Sequence, residues 1–132
     1  MAFNRDKNSY KTKLTESSRE YSSKERVKIK DVANLVQVKN IIEEVGDLII
    51  APKDWAVVEV HNEKSKQNQD YAVFVIEDKS GDMYATSSES LVNAFMDIYE
   101  EMEGQDEEYE IRIFGIDSKN YSGQKFLTCA IV

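Results

Sequence analysis

DYAVFVIEDKSGDMYATS, residues 70 to 87, is the stretch that decides the fold. Its first nine residues are rich in β-branched and aromatic side chains, and they predict a short strand. Asp78-Lys79-Ser80-Gly81 then has the composition of a tight turn, and DMYATS follows as another strand. WAVVEV at 55 to 60 reads as the preceding strand, joined through the polar segment 61 to 69. The sequence therefore predicts a three-stranded meander whose first hairpin has a long loop.

A single well-defined helix is expected after this meander. Thr86-Ser87-Ser88-Glu89 has the spacing of a capping box, in which two side chains satisfy the first backbone amides of a helix. Apolar residues then repeat at helical intervals before Gly104, namely Leu91, Val92, Phe95, Ile98 and Met102. The pattern predicts a helix that ends at this glycine.

Two alternating segments close the chain, EIRIFGI at 110 to 116 and FLTCAIV at 126 to 132. Since successive side chains of a strand point to opposite faces, each segment divides into two sets. Ile111, Ile113, Leu127, Cys129 and Ile131 form the inner set, whereas Arg112, Phe114, Phe126 and Thr128 form the outer set. Each strand thus has an apolar inner face and an outer face that carries an aromatic side chain.

This order of elements predicts a mainly β fold. A five-stranded Greek-key barrel of the OB type has one α-helix between its third and fourth strands, and its long loops bind oligonucleotides. The corresponding loops here are 61 to 69 and 117 to 124. An α+β sandwich with a helix on one sheet face fits the same order. The segment from Leu35, LVQVKNIIEEV, suits either a strand or a short helix.

Charge is distributed unevenly along the 132 residues, whose formal net charge is −8. Residues 1 to 30 contain nine Lys or Arg and four acids, a net +5, which leaves −13 for the remainder. Their apolar residues Phe3, Tyr10, Leu14 and Tyr21 are widely spaced. We therefore expect a flexible basic N-terminal arm at 1 to 30, followed by a domain at 31 to 132.

The composition also argues against several classes of protein. The single Cys129 cannot form an intramolecular disulfide, and the sequence has neither an apolar leader nor a run long enough to cross a membrane. These features predict a cytoplasmic protein without membrane contact.

Catalytic chemistry finds little support in the sequence. His61 has no histidine or cysteine partner for a metal site or a triad, and Cys129 alternates with Leu127 and Ile131 as a buried thiol would. We expect no enzyme activity, no metal, no cofactor and no small-molecule substrate.

Four segments, YAVFVIED, KSGDMYATSS, ESLVNAFMDIYEEM and EIRIFGIDSKNYSGQKFLTCAIV, together resemble the small OB-fold single-stranded-DNA-binding proteins of phages and conjugative plasmids of Gram-positive bacteria. The resemblance covers roughly residues 32 to 132, and NYSGQKFLTC is its most distinctive part. It implies a sequence-tolerant protein that coats single-stranded DNA during replication, recombination or transfer in a bacterial host cell.

Such binding combines aromatic side chains that stack on bases with cations that contact phosphates, and each stacked base contributes roughly 1–3 kcal/mol. The candidate residues are Tyr121, Lys119 and Lys125 between the last two strands, Arg112 and Phe114 on the outer face, Tyr71, Tyr84 and Trp55 on the meander, Lys64 and Lys66 in the other long loop, and Lys11 and Lys13 in the arm. Trp55 and Phe114 also suit a core, whereas Tyr121 has little around it to pack against. The arm suits contact with DNA or self-association with a neighbouring subunit.

The segment DIYEEMEGQDEEYE, residues 97 to 110, contains eight acids and suits either a solvated helix end or a binding surface. The alternative function is therefore an acidic protein-interaction module, an adaptor or inhibitor, that engages a basic partner through residues 97 to 110. A structural or assembly component of a phage also fits a chain of this size.

Overall fold

The computed structural model describes residues 10–65, 68–117 and 125–132. The strands are β1 (Tyr10–Ser17), β2 (Val36–Gln37), β3 (Leu48–Ile50), β4 (Pro52–Asn62), β5 (Asp70–Asp78), β6 (Met83–Thr86), β7 (Ile111–Asp117) and β8 (Lys125–Ile131). The helices are α1 (Ser23–Lys30), α2 (Val38–Glu44) and α3 (Glu89–Met102), and a 3₁₀ turn, Val32–Asn34, follows α1.

These strands form two sheets. The large sheet has the order β1-β4-β5-β6-β2, in which only β2 pairs in parallel with its neighbour, and the small antiparallel sheet has the order β3-β7-β8. The mainly β class is confirmed, but the described strands do not close into one five-stranded barrel. The difference arises because β7 and β8 pair with the short β3 after α3 has carried the chain away from β6.

The large sheet lies between two apolar layers, and β5 shows this most clearly. Val73 and Val75 belong to one buried cluster, whereas Phe74 and Ile76 belong to the other. A strand buried on both faces has a continuous apolar run rather than an alternating one, which explains the sequence AVFVI.

The first core fills the space between the two sheets and α3. Phe74 and Ile76 of the large sheet share it with Ile111 and Ile113 of the small sheet and with Phe95 of α3. The second core lies on the other face of the large sheet, beneath α1 and the 3₁₀ turn. This layered arrangement of two sheets has more in common with the sandwich alternative than with a barrel.

The predicted elements of the meander and the main helix are confirmed. β4, β5 and β6 are consecutive antiparallel strands, and the turn between β5 and β6 places Gly81 at a φ of +94°, which favours glycine. α3 begins after Ser88, whose Oγ accepts a hydrogen bond from the Leu91 amide, so the N-cap lies two residues beyond Thr86. The ambiguous segment from Leu35 contains both structures, the two-residue β2 followed by α2.

The predicted flexible arm is wrong for residues 10 to 30. β1 pairs with β4 along its whole length, with a bulge between Leu14 and Glu16, and α1 is closed by a capping box between Ser22 and Glu25. Tyr21 and Ile29 are buried in the second core. The wide spacing of apolar residues misled the interpretation, because an edge strand and a short helix need only a few buried side chains to dock on an existing sheet.

Arg19 is the electrostatic reason that this segment is held in place. Its Nε lies 3.0 Å from Asp54 Oδ2, and its Nη2 lies 3.2 Å from Glu77 Oε1. Asp54 and Glu77 are both buried, and buried carboxylates need a cation or hydrogen bonds to offset their lost hydration. The same guanidinium contacts Glu25 at 2.7 Å and lies over the Tyr21 ring at 3.9 Å. One arginine therefore joins the N-terminal segment to β4, β5 and α1.

Replacing this arginine tests the network. We expect Arg19→Met to lower the free energy of unfolding by about 3 kcal/mol, because Asp54 and Glu77 remain buried without their cation. Trp55 is the single tryptophan, so its fluorescence during a urea titration measures the change. Arg26→Met, at an exposed cation of α1, is the matched control and should change stability by less than about 0.5 kcal/mol.

Adding Glu77→Gln to Arg19→Met should recover part of the lost stability, since the uncompensated charge is reduced. Equal unfolding midpoints for Arg19→Met and the unaltered protein would show that packing of Tyr21 and Ile29 alone holds the segment.

Candidate nucleic-acid interface

The small sheet has one buried face and one exposed face. Ile111, Ile113 and Cys129 point into the first core. The register places the side chains that alternate with these on the opposite side. We call this side the outer face; it consists of Ile49, Arg112, Phe114, Ile116, Phe126, Thr128 and Ala130.

The outer face is unusually apolar for an exposed surface. Ile49 is 53% exposed, Ile116 39% and Phe126 43%. Ile116 and Phe126 are direct cross-strand partners, so they form one continuous patch. Large contiguous apolar patches on a protein surface are often binding sites.

Arg112 and Phe114 form the polar and aromatic centre of this face. The Arg112 guanidinium carbon lies 4.4 Å from the centroid of the Phe114 ring, and Nη1 donates a hydrogen bond to Asp47 at 3.3 Å. Phe114 is half-buried, partly beneath this arginine. The predicted placement of both residues on the outer set is confirmed, and their contact with DNA stays a prediction.

Lys125 lies on the inner side of the same sheet, not beside Arg112. Its Cδ and Ile42 of α2 both approach the inner side of Gly115, within 3.5 Å and 3.6 Å of the position a Cβ would occupy there. Lys125 also lines a cleft of about 890 Å³ between α2, the start of α3 and the start of β8. Lys125 therefore lies on the opposite face of the small sheet from Arg112 and Phe114, and its contact with DNA stays a prediction.

Lys11 and Lys13 belong to strand β1 rather than to a flexible arm. They pair with His61 and Glu59 of β4 and share one face of the large sheet with them. Together these residues line a second cavity, of about 760 Å³. The lining of this cavity contains both lysines and carboxylates, so its charge is mixed.

Tyr71 lies on the opposite face of the large sheet, where it pairs with Val60. It is 38% exposed and its hydroxyl is close to that of Tyr10, which is 50% exposed. The pKa of Tyr10 is raised, first by partial burial and then by this neighbour. Lys64 is exposed in the loop between β4 and β5, where its amide bonds Asn62 Oδ1 at 3.1 Å.

Trp55 and Tyr84 both pack in or against the first core. The Trp55 ring stacks on Phe74 with centroids 5.7 Å apart, and it packs against the first core. Tyr84 is buried there too, and its hydroxyl donates to Asp78 Oδ2 at 3.4 Å. Their contact with DNA stays a prediction, and the sequence does not show that the large sheet is covered on both faces.

Three candidates, Tyr121, Lys119 and Lys66, lie outside the described residues. Conversely, the candidate set omitted three residues of the outer face, Ile49, Ile116 and Phe126. Alternation had already assigned Phe126 to this side and could have identified it. Ile49 gave no such signal, because its place on this face depends on β3 pairing with β7.

The part of the chain that the structure describes contains no group of three or more His, Cys, Asp or Glu side chains arranged to hold a metal. Cys129 is buried as expected, and burial raises the pKa of its thiol to about 11. None of the described helices is long and apolar enough to span a membrane.

The acidic segment 97 to 110 is accessible. All eight of its carboxylates are exposed, on the second half of α3 and the turn that follows. Lys79 contacts one of them, Glu108, at 3.8 Å, which is a loose surface pair of small energetic value.

His61 provides a local test of the second cavity. Its Nδ1 lies 2.6 Å from Asp70 Oδ1 and its Nε2 lies 3.3 Å from Glu63 Oε1, and these hydrogen bonds raise the pKa of His61 above 6.5, with Asp70 the larger cause. We expect Asp70→Asn to lower the pKa of His61 markedly and Glu63→Gln to lower it less.

The NMR titration of the imidazole protons measures this directly, since His61 is the only histidine. The stability that the charged imidazole contributes is fully present below pH 6.5 and is lost as pH rises through the raised pKa of the folded state. An unchanged His61 pKa in Asp70→Asn would contradict the conclusion that the hydrogen bond to Asp70 raises it.

Comparison with protein-family models, curated proteins and solved structures finds no match to this chain.

Proposed function

We propose that this protein binds single-stranded DNA without strong sequence preference through the outer face, and that it acts by binding rather than by catalysis. The observation that carries the proposal is the stack of Arg112 on Phe114 beside the exposed Phe126 and Ile116. Aromatic and guanidinium planes on an open sheet are suited to stacking on bases, and every base has a face that can stack.

The net charge of −8 does not oppose this function strongly. Stacking contributes roughly 1–3 kcal/mol per base and does not depend on net charge, whereas long-range repulsion is screened over about 8 Å at physiological salt. The dense acids at 97 to 110 belong to α3 and its following turn, not to the strands of the outer face.

The resemblance to single-stranded-DNA-binding proteins of phages and plasmids supports the same function, in replication, recombination or transfer within a bacterial cell. It assigns Tyr121 and Lys119 to the segment between β7 and β8, which joins the two strands that carry Phe114 and Phe126. The proposal does not require an OB-type barrel, because the binding surface is an open sheet.

Anisotropy of a fluorescein-labelled oligo-dT tests the outer face. We expect saturable binding at low salt, weakened by Phe126→Ala by about 1–3 kcal/mol, or roughly 5- to 150-fold in Kd, because one stacking surface is lost. Phe126 is 43% exposed, so the variant should fold normally, and the Trp55 fluorescence checks this.

Tyr10→Ala is the matched control, since Tyr10 is an aromatic of similar exposure on the large sheet. Its affinity should equal that of the unaltered protein. Tyr121→Ala and Tyr71→Ala, measured in the same way, determine whether the segment between β7 and β8 and the start of β5 add to the surface. Absence of binding by the unaltered protein at low salt would overturn the proposal.

A second candidate is favoured by one observation, the full exposure of the eight acids at 97 to 110. In this alternative the segment binds a basic protein, and the chain serves as an adaptor or inhibitor. A fluorescent oligo-lysine peptide provides the probe. Its binding should be lost when Glu100, Glu101 and Glu103 are replaced by Gln and retained in Phe126→Ala; the reverse pattern would reject this candidate.

A further inference from the structure

The cleft between α2 and the start of β8 is continuous with the outer face through two consecutive residues. Lys125 lines the cleft from the inner side of β8, and Phe126, the next residue, both lines the cleft and belongs to the outer face. The volume of the cleft, about 890 Å³, is ample for a nucleotide. A strand that stacks on the outer face therefore meets this cleft at the start of β8.

The charge of the cleft differs from that of its surroundings. Lys39 on α2 and Lys125 on β8 stand on two of its walls, and Glu43 is the acidic residue among those that line it. The cavity beside β1 instead sets Lys11 and Lys13 against Glu59 and Asp70. Of the two cavities described, this cleft is the one in which cations outnumber acids among the lining residues, in a chain of net charge −8.

The floor of the cleft is polar and firmly built. It is formed by the end of β6 and the residues that precede α3. Thr86 Oγ1 accepts a hydrogen bond from the Ser88 amide at 3.1 Å, and Ser88 Oγ accepts one from the Leu91 amide at 3.3 Å. These bonds hold the backbone that precedes α3 in place, and Ser87 between them is exposed.

We propose that this cleft binds the phosphate of a nucleotide, with Lys39 and Lys125 contacting the anion from two sides and Phe126 providing the face for the adjoining base. The inference deepens the proposed function, on which it rests: it places a backbone phosphate of the bound strand at the edge of the small sheet. Paired cations beside an aromatic surface are the elements by which proteins hold single-stranded nucleic acid.

The test uses thymidine 3′,5′-bisphosphate, titrated into the ¹⁵N-labelled protein and followed by amide chemical shifts. We expect saturable shifts at Ser87, Ser88, Lys125 and Phe126. Lys39→Gln and Lys125→Gln should each raise Kd about three- to fivefold, the effect of one exposed charge pair. Lys28→Gln, at an exposed lysine of α1 on the other side of the large sheet, is the control and should leave Kd unchanged.

Two further arms separate the sources of binding. Inorganic phosphate should shift the same amides with weaker affinity, since it lacks a base; equal affinity would reject the role of Phe126. Shifts confined to residues outside the cleft, or no effect of either lysine substitution, would overturn the site.

An oligo-dT titration at several salt concentrations distinguishes failure of the cleft from failure of the function. We expect Lys125→Gln to reduce the magnitude of the logarithmic salt slope by about 0.7, the contribution of one phosphate in a single strand. Oligo-dT binding with an unchanged slope would reject the cleft and keep the function. Nucleotide binding in the cleft without oligo-dT binding would keep the cleft and reject the function.

Discussion

The contact of Arg19 with Asp54 and Glu77 is the constraint on which the arrangement of layers depends. Two carboxylates, buried near the start of β4 and the end of β5, require a cation, and the chain supplies it from 35 and 58 residues upstream. Meeting that requirement holds β1 at the edge of the large sheet and α1 against one of its faces, and leaves the other face for the small sheet. The small sheet, in turn, keeps one side accessible, and that side is the outer face.

Local sequence patterns predicted the elements that depend only on residues close to each other along the chain. β4, β5 and β6 follow from β-branched runs separated by polar turns, and α3 follows from the spacing of Leu91, Phe95 and Ile98. The N-terminal segment did not follow, because Arg19 reads as one more surface cation until its distant partners are known. The division into two sheets was not predicted either, because it depends on the pairing of a three-residue strand, Leu48–Ile50, with β7 across 60 or more positions of sequence.

The candidate site divides in the same way. Alternation along β7 assigned Arg112 and Phe114 to one side correctly, because strand geometry fixes that relation. Alternation cannot say which side is covered, so it left open whether Trp55 and Tyr84 lie in the core or on a surface; the large sheet is in fact covered on both faces. Alternation also places the side chains of Lys125 and Phe126 on opposite faces of β8, which is why one strand contributes to both the outer face and the cleft.

The edges of the two sheets share a property that governs how copies of this chain can meet. β1 carries Lys11 and Lys13 and is bent by its bulge, β2 and β3 are two and three residues long, and the outer edge of β8 is met by α3, where Ser90 Oγ donates to the Leu127 carbonyl at 2.6 Å. Short, charged, bulged or covered edges are poor templates for another strand. Among the described strands, none therefore invites edge-to-edge polymerisation. A contact between copies made through side chains, unlike a shared backbone ladder, can be released without unfolding.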